Sequence, residues 1–436
     1  MTPRGRFLAA RLGYVAIVLL ATVTGLHFSP DLTAATQRLV RAFTPSLGWM
    51  DAIDGLRNTV LFAGLGVTWV MTSLSGRVRA EIARVTLIGF GLSVMVEGLQ
   101  VFSPVRTASI LDVTSNTLGA FAGAVVVAQF LVALHRAKGA PSYLGVPLFP
   151  LAGAYTVAVL CEALTPLFRS TPLPWVSGGP LARLRVALGL ALPLRLGEVP
   201  WSDVLLFAPA GFLVVMLFAE RGRSARLTWP AVATGGAACA FAAEAAHGMI
   251  GLSIHWEAAG TWAVAVAAGA WWAKRRLAVL SQTLRGPRRA LAAIAAYALL
   301  LVLWGWRPFL PETHIGAIVQ QLTADHLVPL MSLVERVDVF TALHVAQVFL
   351  LYLPLGCLLA VWPLRLRGRW SHLWPAVWLA WGIEAGHLVI ADRYFDVTNA
   401  LIACAGLGVG WLALRRSGFG PYGEALAPLT PRRPVG

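Results

Sequence analysis

The sequence predicts an all-α, polytopic membrane protein of about twelve transmembrane helices, and three observations carry that expectation. Hydrophobic residues fill 58% of the 436 positions and charged ones only 13%, and the mean hydropathy is +0.71, well outside the soluble range. Apolar runs of about 15 to 24 residues, the length that crosses roughly 30 Å of hydrocarbon, recur along the chain. The net charge of +15 is dispersed as short arginine runs between those segments rather than gathered on one face. That pattern carries topology and argues against a nucleic-acid footprint.

Taken in order, the apolar runs are Leu12 to Leu26, Thr59 to Leu74, Val85 to Phe102, Leu118 to Leu134, Val146 to Leu164 and Val204 to Ala219. The second half supplies Trp229 to Leu252, Ala258 to Ala273, Ala290 to Trp304, Ala346 to Trp362, Leu373 to Ile390 and Val397 to Leu414. If the runs alternate, Arg4 and Arg6, Arg77 to Arg84, Arg136 and Lys138, Arg221 to Arg226, Lys274 to Arg289, Arg365 to Arg369, and Arg415 and Arg416 all fall on one side. The positive-inside tendency makes that side cytoplasmic, with both termini there. The basic start and first apolar run lack a small-residue cleavage box and are expected to stay as an uncleaved first helix. Cys161, Cys239, Cys357 and Cys404 lie in apolar runs and are expected to be small buried hydrophobes without a disulfide.

Spacing predicts a threefold internal repeat with a period of roughly 140 residues. Each unit has a first helix, a long outer loop, a second helix with a glycine motif, a basic turn, a third helix ending in glutamate, and a glycine-rich fourth. The second helices run NTVLFAGLG (Asn58 to Gly66), DVLLFAPAG (Asp203 to Gly211) and VFLLYLPLG (Val348 to Gly356), so Gly66, Pro209, Gly211, Pro354 and Gly356 are expected to set a bend or close contact. The units are expected at residues 1–138, 139–286 and 287–416 as three fused four-helix bodies, followed by a disordered cytoplasmic tail at 417–436. The long outer loops, His27 to Asn58, Thr165 to Asp203 and Arg307 to Gln347, contain amphipathic segments that either lie in the membrane interface or cap the bundle.

The stretch from Val96 to Gly123 holds the candidate site. Glu97 and Gln100 share a face at the end of the third helix, Arg106 and Asp112 follow in the connector, and Asn116 is expected in the first turn of the fourth helix, where it can cap. Gly119 and Gly123 follow at small-xxx-small spacing, which permits close helix approach. Polar groups at the ends of membrane-length segments suggest an outward recess in which Arg106 clamps a phosphate or carboxylate, with Asn116 and backbone N–H groups completing it. The bland alternative is an internal pair that merely pins the connector. The corresponding places in the later units are Glu244, His247 and Glu257, then Glu384, His387, Arg393, Asp396 and Asn399. The Glu-x-x-His steps invite a divalent ion, but Gln100 at the first such place is a poor transition-metal ligand, so no metal or other cofactor is expected. His255, beside Trp256, is expected to be an interface anchor. With no GxSxG, P-loop or usable S-x-x-K, the balance favours binding over catalysis.

E-x-x-Q, then R-x-x-S-x-x-D-V, then N-x-x-G-x-x-x-G resembles the VanZ-like family, carried here by Glu97, Gln100, Arg106, Ser109, Asp112, Val113, Asn116, Gly119 and Gly123, with Asn58, Phe62 and Gly66 in the preceding helix. The second unit puts His247 for the glutamine, Glu257 for the aspartate and Thr261 for the asparagine, keeping Gly269. The third puts His387 for the glutamine, keeps Asp396 and Gly406, and has Asn399 one residue early. The resemblance implies a multi-pass protein of the bacterial cytoplasmic (inner) membrane, akin to an accessory factor that lowers susceptibility to teicoplanin. Its implied partners are membrane lipids and a lipid-linked cell-wall precursor or glycopeptide, with no nucleic acid. A lipid or small-molecule transporter or flippase is the second expectation, and a membrane metalloenzyme the third.

Overall fold

The computed structural model describes the chain apart from residues 1–2, 24–27, 30, 45–48, 74–76, 105–107, 138–143, 145–146, 166–178, 191–199, 251, 284–286, 308, 321, 323, 330, 332–338, 362–370, 372, 392 and 418–436. Arg106 and the expected tail after Ser417 therefore lie outside the described residues. Among those described, the chain is helical and strandless, with one isolated bridge between Pro311 and Ile390. The helices are α1 (Pro3–Val23), α2 (Leu32–Ala42), α3 (Trp49–Met71), α4 (Val78–Gln100), α5 (Ile110–Arg136), α6 (Leu148–Leu164), α7 (Pro180–Leu190) and α8 (Val204–Glu220). They continue as α9 (Ala225–Ile250), α10 (Trp256–Thr283), α11 (Pro287–Gly305), the short α12 (Ile315–Gln320) and α13 (Ala324–Leu327), then α14 (Val339–Ala360), α15 (Trp374–His387) and α16 (Val397–Arg416).

Among the described residues, five helical segments are long and apolar enough to cross a membrane: Val78–Gln100, Ile110–Arg136, Trp201–Glu220, Leu343–Ala360 and Val397–Arg416. The fully described apolar parts of α1, α3, α6 and α11, namely Phe7–Val23, Asn58–Met71, Leu148–Leu164 and Ala290–Gly305, fall below that length. The sequence expectation of about twelve is thus wider than what length and apolarity alone mark. Of the other helices, α15 has only 14 residues, α9 carries Arg226, Glu244 and His247, and α10 carries Lys274, Arg275 and Arg276 within its length.

Three helix pairs share one contact. A Cβ on Gly66 would strike the Ala120 carbonyl, and Cβ atoms on Gly119 and Gly123 would strike those of Thr59 and Ala63, so α3 and α5 touch backbone to backbone. Gly211 and Gly269 do the same for α8 against α10, meeting Val266 and Ala208, and Gly356, Gly406 and Gly410 do it for α14 against α16. Such approach is what small residues supply where lipid gives no hydrophobic drive to helix association. A tyrosine of the preceding helix also donates to each second helix: Tyr14 to the Leu61 carbonyl (3.0 Å), Tyr155 to that of Leu206 (2.8 Å) and Tyr297 to that of Leu351 (2.7 Å).

One apolar cluster runs through the whole bundle, from Val18, Phe62 and Leu65 through Tyr155 and Leu206 to Leu355, Leu407 and Leu414. Helix α6 packs on α14, far along the chain. The Tyr155 and Tyr297 rings meet edge to face at 5.9 Å. Arg416, at the end of α16, donates to the carbonyls of Val70, Met71 and Ser73 at the end of α3, where a cation suits the helix dipole. The third-helix glutamates lie at the other end, called here the glutamate end.

Candidate functional site

Each third helix ends in a buried glutamate, and each such carboxylate accepts from the backbone N–H at the start of the next helix. Glu97 takes Ser109 N at 2.9 Å, Glu244 takes His255 N at 2.8 Å and Glu384 takes Asp396 N at 3.4 Å. Ser109 and Asp396 are N-caps whose side chains accept from Leu111 N and Thr398 N, which satisfies donors the helix leaves open. The glutamates therefore hold the connector through its backbone, while Arg106, the partner of Glu97 or Asp112 in the pinning alternative, lies outside the described residues.

This register differs from the one read by matching acids. Asp396 stands where Ser109 stands, not where Asp112 stands. Asn116, expected as a cap, lies inside α5 because the helix already begins at Ile110. Counting back from the shared glycine contacts, Trp262 and Ala403 occupy the place of Asn116.

Asp112 and Asn116 lie on two different faces of α5. Asp112 turns to α3 and accepts from Asn58 at 2.7 Å. Asn116 turns to α4 and donates to Ser93 at 2.8 Å, four residues before Glu97. Asn116 is 2% exposed, yet its Oδ1 has no partner. Because amide oxygen and nitrogen are assigned from their surroundings, the free end of this amide offers either an acceptor or a donor. Gln100 and Ser103 are buried nearby in sequence, at the mouth of the connector.

In the second unit Glu257 pairs with His255 Nδ1 at 3.1 Å, and the other ring nitrogen of His255 meets Ser253 at 3.0 Å. Both ring nitrogens of His255 are thus engaged within the connector. His247 Nδ1 lies 3.5 Å from Glu244, while its Nε2 is buried without a partner. In the third unit His387 bridges Glu384 (3.1 Å) and the Gly305 carbonyl (3.0 Å). Asn399 meets His344 at 3.1 Å, and Arg393 Nε turns from Asp396 to donate to the Arg307 carbonyl at 2.8 Å. Burial first, and the neighbouring Arg307 second, hold the Arg393 guanidinium down to about 10 against the raising pull of Glu162 and Glu384. Among the described residues no three His, Cys, Asp or Glu side chains are grouped to hold a metal ion.

A roof covers each connector. Ala35 and Ala42 of α2 pack on Val101 and Ala108, Arg38 donates to the Val101 carbonyl at 3.2 Å, and Ser29 N bonds the Phe102 carbonyl. Ala187 and Leu184 of α7 sit against Gly248 of α9. His326 of α13 stacks on Tyr394 at 5.9 Å. The described outer-loop segments thus touch the bundle at this end, with Leu32 and Leu39 of α2 and the following Phe43 left exposed.

Sequence reasoning missed a second cluster, built from residues far apart in the chain. Arg307 donates to Asp203 at 2.9 Å and to Glu162, Gln347 donates to Glu162, and Trp262 donates to Asp203 at 2.7 Å. The guanidinium lies over the Trp304 ring. The available signal was Glu162, a lone acid inside an apolar run, which must find a cation or stay uncharged. This network satisfies its own charges and ties the ends of α6, α8, α11 and α14 together.

Among comparisons with known proteins, the family model described as VanZ/LLP1 matches residues 11–132, the stretch from α1 through most of α5. No curated protein and no solved structure shows a significant match to the chain.

Proposed function

We propose, from the VanZ-family domain over residues 11–132, that this chain is a multi-pass protein of the bacterial cytoplasmic membrane, with twelve spans in three four-helix units and both termini on the basic side. The recurring tyrosine, glycine and glutamate contacts support the repeated units. In this reading the glutamate end faces outward. It binds an anionic cell-surface molecule, namely a lipid-linked wall precursor, a lipid head group or a glycopeptide, and so alters envelope composition or glycopeptide susceptibility.

The observation that carries the reading is the free end of Asn116. Within the cluster of Glu97, Ser93 and Ser109, the buried Asn116 amide keeps one hydrogen-bonding atom unused. A buried polar atom without a partner costs about 1–3 kcal/mol unless water or a ligand satisfies it. Arg106, in the adjacent connector, supplies the cation.

The test is a thermal-shift series on the purified full chain with teicoplanin, a lipid-linked precursor and phosphatidylglycerol micelles. One of them raises the Tm, and Asn116→Leu and Arg106→Ala remove the rise without lowering the unliganded Tm. A wild-type protein indifferent to all three sinks the reading. The network of Glu162, Asp203, Arg307 and Gln347 favours transport as a second reading, since such networks also mark substrate and ion pathways. Substrate movement in proteoliposomes that depends on Arg307 would promote it.

A further inference from the structure

Between α6, α8, α9 and α10 lies a cleft of roughly 340 Å³ lined by Thr156, Phe207, Ala210, Val214, Gly235 and Cys239 among other apolar residues. Along α8 it runs from Phe207 to Phe218, ~16 Å at the rise of a helix, more than half the depth of a ~30 Å hydrocarbon core. It opens sideways, where Ala231, Gly235 and Cys239 are exposed. Its wall carries one hydroxyl, Thr156 Oγ1, with no partner.

The other two units fill this space. Aligned on the glycine contacts and the third-helix glutamates, Ala210 stands where Leu65 and Leu355 stand, and these are 0% and 1% exposed. Val214 replaces Trp69 and Leu359, Cys239 replaces Leu92 and Leu379, and Gly235 replaces Ile88, and all of these larger residues pack into the core. The middle unit is therefore hollowed at three places where both counterparts are solid, and at Gly235 where the first unit carries Ile88, and a packed interior does not leave such space without an occupant or a cost. At the far end the Phe218 carbonyl accepts from Arg221 N and Arg223 N, so the exposed turn of Arg221, Arg223 and Arg226 sits at the mouth of the cleft.

We propose that this cleft holds one hydrocarbon chain of an anionic membrane lipid whose head group lies against Arg221, Arg223 and Arg226. Apolar walls at membrane depth suit an alkyl chain, and a basic turn at one end suits a phosphate. The proposal rests on the membrane reading of the helices and is independent of the recess at Asn116.

Photo-crosslinking tests it: the full chain in nanodiscs, phosphatidylglycerol or phosphatidylcholine with a mid-chain diazirine, and labelled peptides mapped by mass spectrometry. Phosphatidylglycerol labels residues 207–240 above the rest of the lipid-facing surface. The filling variant Gly235→Ile with Cys239→Leu, which copies α4, lowers that yield roughly tenfold while Val157→Leu, outside the cleft, leaves it unchanged. Arg221→Gln with Arg226→Gln brings phosphatidylglycerol down to the phosphatidylcholine level. Even labelling around the whole circumference, equal in wild type and filled variant, overturns the proposal. So does a Cys239–Cys239 crosslink between copies, which would assign the cleft to a second chain. The filled variant's Tm, equal to or above wild type, shows that loss of labelling is not loss of fold.

Discussion

Two polar clusters sit at the glutamate end, and they answer the problem of burying polarity differently. The cluster of Glu162, Asp203, Arg307, Gln347 and Trp262 pairs each charge with an opposite charge or a donor. The cluster of Glu97, Ser109, Ser93 and Asn116 pairs its carboxylate with a backbone N–H and leaves one amide end unused. A network that consumes itself holds helices, whereas one with an atom to spare has something left to offer. The difference separates a strut from a site.

The sharpest way to break that distinction is Arg307→Met. It strands Glu162 and Asp203 without their cation and is expected to cost about 3–5 kcal/mol, read as a large fall in Tm in detergent. Combining it with Glu162→Gln and Asp203→Asn recovers most of the loss, because what hurts is the uncompensated charge. A single variant as stable as wild type would show that the network ties nothing together. Glu244→Ala comes next. Glu244 is 2% exposed, and losing it orphans His255 N, a neutral donor rather than a charge, for an expected cost of about 2–3 kcal/mol. A loss as large as that from Arg307→Met would show that a carboxylate held by a backbone N–H carries as much as a paired charge, and would weaken the contrast by analogy with Glu97.

Tyr155→Phe is smaller, about 1 kcal/mol for one hydroxyl-to-carbonyl bond. Its use is comparative. If the units are equivalent, Tyr14→Phe and Tyr297→Phe shift the Tm by a similar amount, and an effect confined to one tyrosine breaks the equivalence.

Much of this was legible in the sequence, and what was not has identifiable causes. Glu97, Glu244 and Glu384 stood out because an acid at the end of an apolar run has few ways to be satisfied. Gly66, Gly119 and Gly123 stood out because close helix contact tolerates little else. Register across the connectors was misread because acids were matched to acids, whereas helix starts fix the alignment and place Ser109, His255 and Asp396 together. The three tyrosines, spaced like the second-helix glycines, carried a signal that apolarity hid. The cross-unit network was not legible, since Arg307 finds Asp203 across 104 residues and Gln347 finds Glu162 across 185, and only the packing of α6 on α14 brings them together.

The smallest expected change in stability tests the most. Asn116 makes one bond, to Ser93, and Ser93 can turn its hydroxyl to a carbonyl of its own helix when that bond is lost. Replacing Asn116 by leucine, which has the same heavy-atom branching though a larger volume, also removes the unsatisfied atom. The two effects offset, and the Tm is expected to stay within about 0.5 kcal/mol of wild type. If Asn116 is only structural, nothing else changes. If its free end serves a ligand, the variant folds as well as the parent but no longer gains Tm from the probe that stabilises the parent, and Asn116→Gln, which keeps the amide on a longer arm, restores part of the gain. A variant that loses stability yet keeps the full ligand-induced rise would make Asn116 a strut like Arg307 and leave the contrast between the two clusters without content.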